Sequence, residues 1–269
     1  MQSTSSQARD AVLAALDQQL SGGADAARLA GDLFVLASAI DGEHSLNRIL
    51  TEPSVPPEAK RTMLRALLEG KVGEPTLRVV DDSVGRRWTR VAGLPDTLEY
   101  AAITALAFAA AEAGELDAVE DDLFRFERIL EASPELRDAL SDAAASVEGK
   151  RSLLHDLLQD RVGSSTLALL DQVVLLRHRS IQAGLEYYQQ VVAHYRNRLV
   201  ATVWVAAPLS GDHKERIARA LASEYSHDVH LNVIVDPEVL GGVRVAIGDE
   251  LIDSTIQTRL AQARRRVVR

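Results

Sequence analysis

Hydrophobic residues recur every three or four positions over most of the first 196 residues, and this spacing is typical of amphipathic helices. Two stripes are the clearest: Leu29, Leu33, Leu36 and Ile40, and later Leu116, Val119, Leu123, Phe126 and Leu130. Around the second stripe, Asp121, Asp122 and Glu127 are expected to face outward. Prolines and glycines mark the expected helix ends, at Pro57, Gly70, Gly73, Pro134 and Gly163. The pattern therefore predicts bundles of helices.

The hydrophobic period changes to two after residue 198. Residues 199–207 are apolar and β-branched, residues 229–237 alternate as a strand does, and residues 241–253 indicate a strand, a turn and a second strand. Residues 211–225 indicate a helix that Ser210 caps, with Ile217, Leu221 and Tyr225 on its apolar side. A last helix is expected from Ser254 onward. This end of the chain therefore predicts a small β-α-β-β-α unit.

Two segments of the helical region are copies of one another. Residues 60–77 (KRTMLRALLEGKVGEPTL) match residues 150–167 (KRSLLHDLLQDRVGSSTL) at an offset of 90, with nine of 18 positions identical. The identical pairs are Lys60/Lys150, Arg61/Arg151, Leu64/Leu154, Leu67/Leu157, Leu68/Leu158, Val72/Val162, Gly73/Gly163, Thr76/Thr166 and Leu77/Leu167. Asp81 also matches Asp171, and an apolar helix that ends near a proline precedes each block. The helical region is therefore a duplication.

These patterns predict a mainly α fold with a small α/β C-terminal domain. Two tandem helical bundles, residues 1–95 and 96–198, are followed by the β-α-β-β-α unit, residues 199–269. Each bundle is about 95 residues long, which is within the usual range for a domain.

Composition narrows the class of protein. Cysteine is absent, which excludes disulfides, thiolate metal sites, Fe–S clusters and cysteine nucleophiles. No apolar run approaches the roughly 20 residues that span a bilayer, and residues 1–10 lack the basic start and apolar core of a secretory signal. We therefore expect a cytosolic protein that can still dock on a membrane complex.

The net charge of −9 is distributed unevenly. Residues 1–95 carry −1, residues 96–200 carry −8 and residues 201–269 carry 0. An acidic middle segment repels phosphate backbones, which argues against nucleic-acid binding. It fits either a solvated acidic surface or a basic protein partner.

The candidate catalytic and metal-binding residues do not lie in the backbone context that catalysis or metal binding requires. Gly241 and Gly242 enter a strand instead of a helix, so they do not form a phosphate loop. His227 and His230, near Glu224 and Asp228, run from a helix end into a strand that splays their side chains, which disfavours a metal site.

The acidic pairs and the arginine cluster also have structural explanations. Adjacent acids, Asp81-Asp82 and Asp121-Asp122, point in different directions on a helix, and no serine lies in a nucleophile motif. The arginines at 264–266 suit a solvated helix end, with an anionic partner as the alternative. We expect no catalytic residue, no cofactor and no bound metal.

The segment VDPEVLGGVRVAIGDELIDSTIQTRL, residues 235–260, resembles the signature of the F-type ATP synthase delta subunit family, whose mitochondrial member is the oligomycin-sensitivity-conferring protein. The family pattern falls on Val235, Asp236, Pro237, Leu240, Gly241, Gly242, Gly248, Asp249, Ile252 and Asp253. Two departures are Leu240, where the family often has Ile, and Ser254-Thr255, where Gly-Ser is common. The resemblance covers residues 97–269. Residues 1–95 look like the extra helical copy of a longer bacterial form, and no transmembrane segment of a fused b-type chain is expected in them.

The resemblance implies a mechanical role in the peripheral stalk. A delta subunit joins the catalytic head to the b-type stalk, on the cytoplasmic side of the membrane, so that rotor torque drives ATP synthesis. The helical domain would bind N-terminal helices of alpha subunits in a groove, and the C-terminal unit would bind a b-type chain. Candidate groove helices are 97–113 and 166–177 in the second copy and 11–20 and 76–87 in the first. The candidate groove residues are Tyr100, Ile103, Leu106, Leu167, Leu170 and Val174.

Two other classes of function stay open at this point. A stand-alone helical adaptor or regulator with the same fold is the main alternative, and an enzyme is the third. We also expect the two helical copies to bind different alpha chains, because their net charges of −1 and −8 indicate partners with different surfaces.

Overall fold

The computed structural model describes residues 4–142, 144–158, 161–175, 180–196, 199–225, 229–236, 239, 242–247 and 250–253. The chain divides into two compact units, Met1–Tyr195 and Arg196–Arg269. The first is helical and the second is α/β, which confirms the predicted fold class. The expected last helix, from Ser254 onward, lies outside the described residues.

Helices account for nearly all the described structure up to residue 196. They are α1 (Thr4–Ser21), α2 (Ala26–Gly42), α3 (His44–Thr51), α4 (Pro57–Leu68), α5 (Glu74–Val84), α6 (Gly93–Glu112), α7 (Leu116–Ala132), α8 (Pro134–Ser141), α9 (Val147–Leu158), α10 (Ser164–Val173) and α11 (Ile181–Arg196). The starts of α7, α8, α9 and α10 follow those of α2, α3, α4 and α5 by 90 residues, so the duplication is structural as well as sequential.

The two copies share one hydrophobic core, which extends without a break from Ala8 to Val192. Residues 1–95 and 96–198 therefore do not separate as two compact units, and the predicted division at residue 95 falls inside α6. Because α6 directly precedes α7 as α1 precedes α2, it opens the second copy. It also packs against α1 and α2, and so closes the first.

Helix α6 is buried over most of its surface because it packs in both copies. Fourteen of its 20 residues are buried, many of them alanines whose small side chains let neighbouring helices approach closely. A helix that is apolar all round lies in the centre of a bundle, whereas a surface helix has one apolar stripe. Helix α2 provides the contrast, because its buried residues include the predicted stripe of Leu29, Leu33, Leu36 and Ile40.

The second unit contains β1 (Leu199–Val205), α12 (Gly211–Tyr225), β2 (Val229–Val235), β3 (Val243–Ile247) and β4 (Glu250–Asp253). The sheet order is β2-β1-β3-β4, with β1 parallel to β2 and antiparallel to β3. Ser210 caps α12 as predicted, because its Oγ accepts the His213 N–H at 3.4 Å. The core of this unit joins Val203, Val205 and Val245 of the sheet with Leu221 of α12.

Candidate functional site

A carboxylate from the second helix of each copy holds the turn before the fifth helix. In the first copy, the Asp32 carboxylate accepts the Gly73 N–H at 3.1 Å and the Thr76 hydroxyl at 2.7 Å. In the second copy, Asp122 accepts the Thr166 hydroxyl at 3.3 Å. Gly73 caps α5 without a side chain of its own, so a neighbouring helix supplies the acceptor and the negative charge that a helix start favours. Asp122 is therefore half-buried and bonded, contrary to the outward position expected for it.

The fourth and fifth helices are linked by a second repeated contact. Arg61 Nε donates to the Asp81 carbonyl at 3.0 Å, and Arg151 Nε donates to the Asp171 carbonyl at 3.5 Å. One turn further along α4, Arg65 pairs with the Asp81 carboxylate, and both the hydrogen bond and the charge of Asp81 raise the pKa of Arg65. These contacts are internal to the fold.

The copies differ at the equivalent position in α9. His155 occupies the place of Arg65, and its Nε2 lies 3.0 Å from the Asp171 carboxylate. Arginine is always charged, whereas histidine is charged only when protonated. The charge on this link is therefore permanent in the first copy and dependent on protonation in the second.

Tyr188 of α11 contacts residues of both copies in the core. Its ring stacks on Phe34 of α2, with centroids 6.2 Å apart, and its hydroxyl donates to the buried Glu99 carboxylate of α6 at 2.9 Å. Helix α11 also contacts α7, because the Gln189 side chain donates to Glu127 at 2.9 Å. Glu127 is thus half-buried and bonded, which again differs from its expected outward position.

The predicted groove residues lie mostly in the core. Ile103, Leu106, Leu170 and Val174 are buried, so in this chain they do not line an open groove. For Ile103 and Leu106 the reason is that α1 and α2 of the first copy cover α6, which is one of the two expected groove helices. Helix α10, which carries Leu170, packs instead against α6, α7 and α9. Two of the six candidates, Tyr100 and Leu167, are half-buried and retain some exposed surface.

The signature segment of the second unit is described in part. Asp236 follows β2, and its N–H donates to the Val205 carbonyl at 2.8 Å. Gly242 has a φ of 83°, which explains a glycine at this turn. Asp253 is the last residue of β4 and lies opposite Arg244 of β3 in the backbone register of the sheet. Pro237, Gly241, Gly248 and Asp249 lie outside the described residues.

Analysis of the sequence alone missed several exposed apolar side chains. Leu67 of α4 is 46% exposed and its repeat partner Leu157 of α9 is 40% exposed, while Phe124 of α7 is 58% exposed. On the edge strand β2, Ile234 and Val235 are exposed. The first three carry a signal in the sequence, because each has an identical residue 90 positions away.

The described ranges also bear on metals and membranes. Within them, no three His, Asp or Glu side chains are grouped closely enough to hold a metal ion. His227 and Asp228 fall outside these ranges, whereas His230 belongs to β2. In the same part of the chain, no helix combines the length and the apolar character needed to cross a bilayer.

Comparison with known proteins connects this architecture to one family. The family model described as "ATP synthase delta (OSCP) subunit" matches residues 98–267. Proteins named ATP synthase subunit delta are 42% identical in Thermobifida fusca, with 91% of both chains covered, and 43% identical in Streptomyces avermitilis, with 90% of this chain and 89% of that one covered.

A relative from Kineococcus radiotolerans with the same name is 39% identical, with 94% of this chain and 92% of the other covered. A chain of the Toxoplasma gondii mitochondrial ATP synthase hexamer has 18% identity and a TM-score of 0.28, with 62% of this chain and 95% of that one covered. The bacterial relatives match both helical copies as well as the C-terminal unit. This chain therefore belongs to the ATP synthase delta (OSCP) subunit family.

Proposed function

We propose that this protein is a non-catalytic peripheral-stalk subunit of a proton-translocating F-type ATP synthase. It would link the catalytic head to the b-type stalk on the cytoplasmic side of the membrane, so that rotor torque drives ATP synthesis. The observation that carries this proposal is the match to ATP synthase delta subunits over about nine-tenths of both chains. A mechanical link requires at least two contact surfaces, and each of the two compact units of this chain can provide one.

The helical unit is the proposed binding site for N-terminal helices of alpha subunits. The repeat supports particular contact points in it. Most of the nine residue pairs that the two copies share are buried, half-buried or hydrogen-bonded within the fold. Leu67 and Leu157 are instead exposed, so packing within the chain does not account for a leucine at both positions. Together with half-buried Tyr100 and Leu167, they are our candidates for contact with alpha helices.

The α/β unit is the proposed site for the b-type chain. Ile234 and Val235 are exposed at the end of β2, which is an edge strand of the sheet. Edge strands and exposed apolar side chains both favour association with a partner. Val235 is the first residue of the signature segment, and Ile234 directly precedes it.

The test is reconstitution with detergent-solubilised ATP synthase that lacks its own delta subunit. Full-length chain is expected to co-purify with the complex and to restore ATP-driven proton pumping. Ile234→Asp is expected to weaken co-purification, while Val91→Asp, at an exposed apolar residue between α5 and α6, serves as the matched control. Failure of the wild-type chain to associate would favour the stand-alone adaptor instead.

The role of each helical copy is tested by Leu67→Asp and Leu157→Asp in the same assay. If the two copies bind different alpha chains, each substitution alone should reduce association of the chain with the complex. The double variant should reduce it further. If only one of the two substitutions reduced association with the complex, this part of the proposal would be refuted. Deletion of residues 1–95 is not a clean test, because it would remove α1 and α2 from the apolar surface of α6.

A further inference from the structure

The sheet of the second unit has two faces, and α12 packs on one of them. On that face Leu221 of α12 shares a core with Val203 of β1 and Val245 of β3. Because successive residues of a strand point to opposite faces, Trp204 and Arg244 lie on the face away from α12. Among the described residues of this unit, no second helix covers that face.

Three strands place side chains in one row across the face away from α12. Trp204 of β1 lies opposite Ile234 of β2 and, on its other side, opposite Arg244 of β3. Ile234 is 41% exposed, Trp204 is half-buried, and the Nε of Arg244 is buried. An arginine on an uncovered sheet face keeps its guanidinium in water. Burial therefore increases along the row from β2 toward β3, which indicates a cover on the β3 side.

The chain itself continues from a point beside this row. Asp253, the last residue of β4, lies opposite Arg244, and residues 254–269 follow it, outside the described residues. A helix of 16 residues is about 24 Å long and about 10 Å wide, so it can cover two strands that are about 4.8 Å apart. The segment has apolar residues at the spacing of one helix face, at Ile256, Leu260, Ala263 and Val267.

We propose that residues 254–269 form a helix that docks its apolar stripe on β1 and β3, over Trp204 and Arg244. Starting from β4, such a helix reaches these two central strands and leaves the edge strand β2 open. Ile234 thus stays accessible on β2, in agreement with its exposure. The proposal goes beyond the proposed function, because it assigns a contact within this chain and does not depend on any partner.

Charge favours this segment as the occupant of the face. Residues 254–269 contain five arginines and no acidic residue, whereas residues 201–253 contain nine acidic and four basic side chains. A positive segment attached to a negatively charged unit is attracted to it, and the covalent attachment gives the segment a high effective concentration there. On a helix, Arg259, Arg264 and Arg266 would flank the apolar stripe, so their stems can lie along the rim of the sheet with the charged groups in water.

The first test follows Trp204 by 19F NMR of the full chain labelled with 5-fluorotryptophan. The chain has two tryptophans, Trp88 and Trp204, and Trp204→Phe assigns their signals. Ala263→Asp places a charge in the apolar stripe, so it should shift the Trp204 signal and increase its solvent exposure, measured as the difference in shift between H2O and D2O. Ala261→Asp is the matched control, because it makes the same substitution on another side of the helix and should leave Trp204 unchanged. The Trp88 signal should be unchanged in both variants, which shows that the helical unit is intact.

The second test measures hydrogen exchange of the full chain by mass spectrometry. Isolated helices of this length are marginal in water, so amides of residues 254–269 should be protected at least about tenfold only when the helix is docked. Ala263→Asp should remove this protection, and Ala261→Asp should retain it. Slow exchange of α12 in both variants shows that the rest of the unit is folded.

Equal effects of Ala263→Asp and Ala261→Asp on Trp204 would overturn the proposal, as would unprotected exchange across residues 254–269 in the wild type. Protection that increases with protein concentration would place the segment on a second copy of the chain, and that result would also overturn it. These measurements use the chain without the ATP synthase, so a failure of the proposed function would leave their outcome unaffected.

Discussion

Removing the carboxylate that holds each inter-helix turn should destabilise the two copies unequally. Asp32→Ala and Asp122→Ala delete the same group at equivalent repeat positions. Asp32 accepts two hydrogen bonds, from the Gly73 N–H at 3.1 Å and the Thr76 hydroxyl at 2.7 Å. Among the described residues, Asp122 accepts one, from the Thr166 hydroxyl at 3.3 Å. The first substitution should therefore cost more.

The magnitude follows from the number and length of these bonds. Hydrogen bonds to a charged group contribute about 1.5–3 kcal/mol each when well formed, and less where solvent competes. Both carboxylates are half-buried, so we expect Asp32→Ala to lower the free energy of unfolding by about 2.5 kcal/mol and Asp122→Ala by about 1 kcal/mol. In a unit of this size these losses correspond to falls in Tm of about 7 °C and about 3 °C.

Urea unfolding followed by tryptophan fluorescence measures the difference. The chain has two tryptophans, Trp88 in the helical unit and Trp204 in β1 of the other unit. A Trp204→Phe background leaves Trp88 as the reporter. Its indole is buried and donates to the Ser83 carbonyl at 3.0 Å, at the end of α5. Its fluorescence therefore follows unfolding of the helical unit.

A double-mutant cycle then tests the assigned contact. Thr76→Val removes the hydroxyl that Asp32 accepts, so Asp32→Ala and Thr76→Val should show a coupling energy of about 1 kcal/mol. A coupling near zero, or a loss for Asp122→Ala that equals or exceeds the loss for Asp32→Ala, would refute this explanation of the repeat.

Three further predictions use the same assay. Phe34→Ala should cost about 3–5 kcal/mol as a buried aromatic truncation, whereas Phe124→Ala should change stability by less than about 0.5 kcal/mol; equal losses would contradict the different burial of the two rings. His155→Arg should stabilise by less than about 1 kcal/mol, because it gives Asp171 the permanent partner that Asp81 has, and a clear destabilisation would argue against that equivalence. Burial lowers the pKa of the Lys60 amine from 10.5, opposed by Glu52. The unfolded chain therefore binds more protons below 10.5, so stability should rise with pH toward that value in the wild type, and this rise should be smaller in Lys60→Met.

Much of the helical unit was predictable because the period of apolar residues directly reflects burial. The stripe from Leu29 to Ile40 is buried as expected, and in the second stripe Val119, Leu123, Phe126 and Leu130 are buried. The duplication was equally clear, since the offset of 90 residues in the sequence is also the offset of the helix starts. Local pattern and element boundaries agree here because each helix needs one face to pack.

The candidate site was less predictable, because packing between the two copies leaves no local signal. The resemblance to the family implied that Ile103 and Leu106 line a groove, and the spacing of apolar residues in α6 does not indicate that α2 covers this helix. Both residues are in the core. Asp122 and Glu127 were expected to be solvated, because their hydrogen-bond partners, Thr166 and Gln189, are more than 40 residues away in the chain. Long-range contacts of this kind cannot be derived from periodicity.

The shared helix also determines how an added copy can act in a larger assembly. Two domains joined by a flexible linker move independently, and the extra one would then add a hinge. Here α6 packs onto the first copy and is also the first element of the second, and its buried surface belongs to one continuous core. Rotating one copy against the other would expose that core and separate Phe34 from Tyr188. In the peripheral stalk that we propose, the added copy would therefore provide further contact surface on the same rigid helical unit.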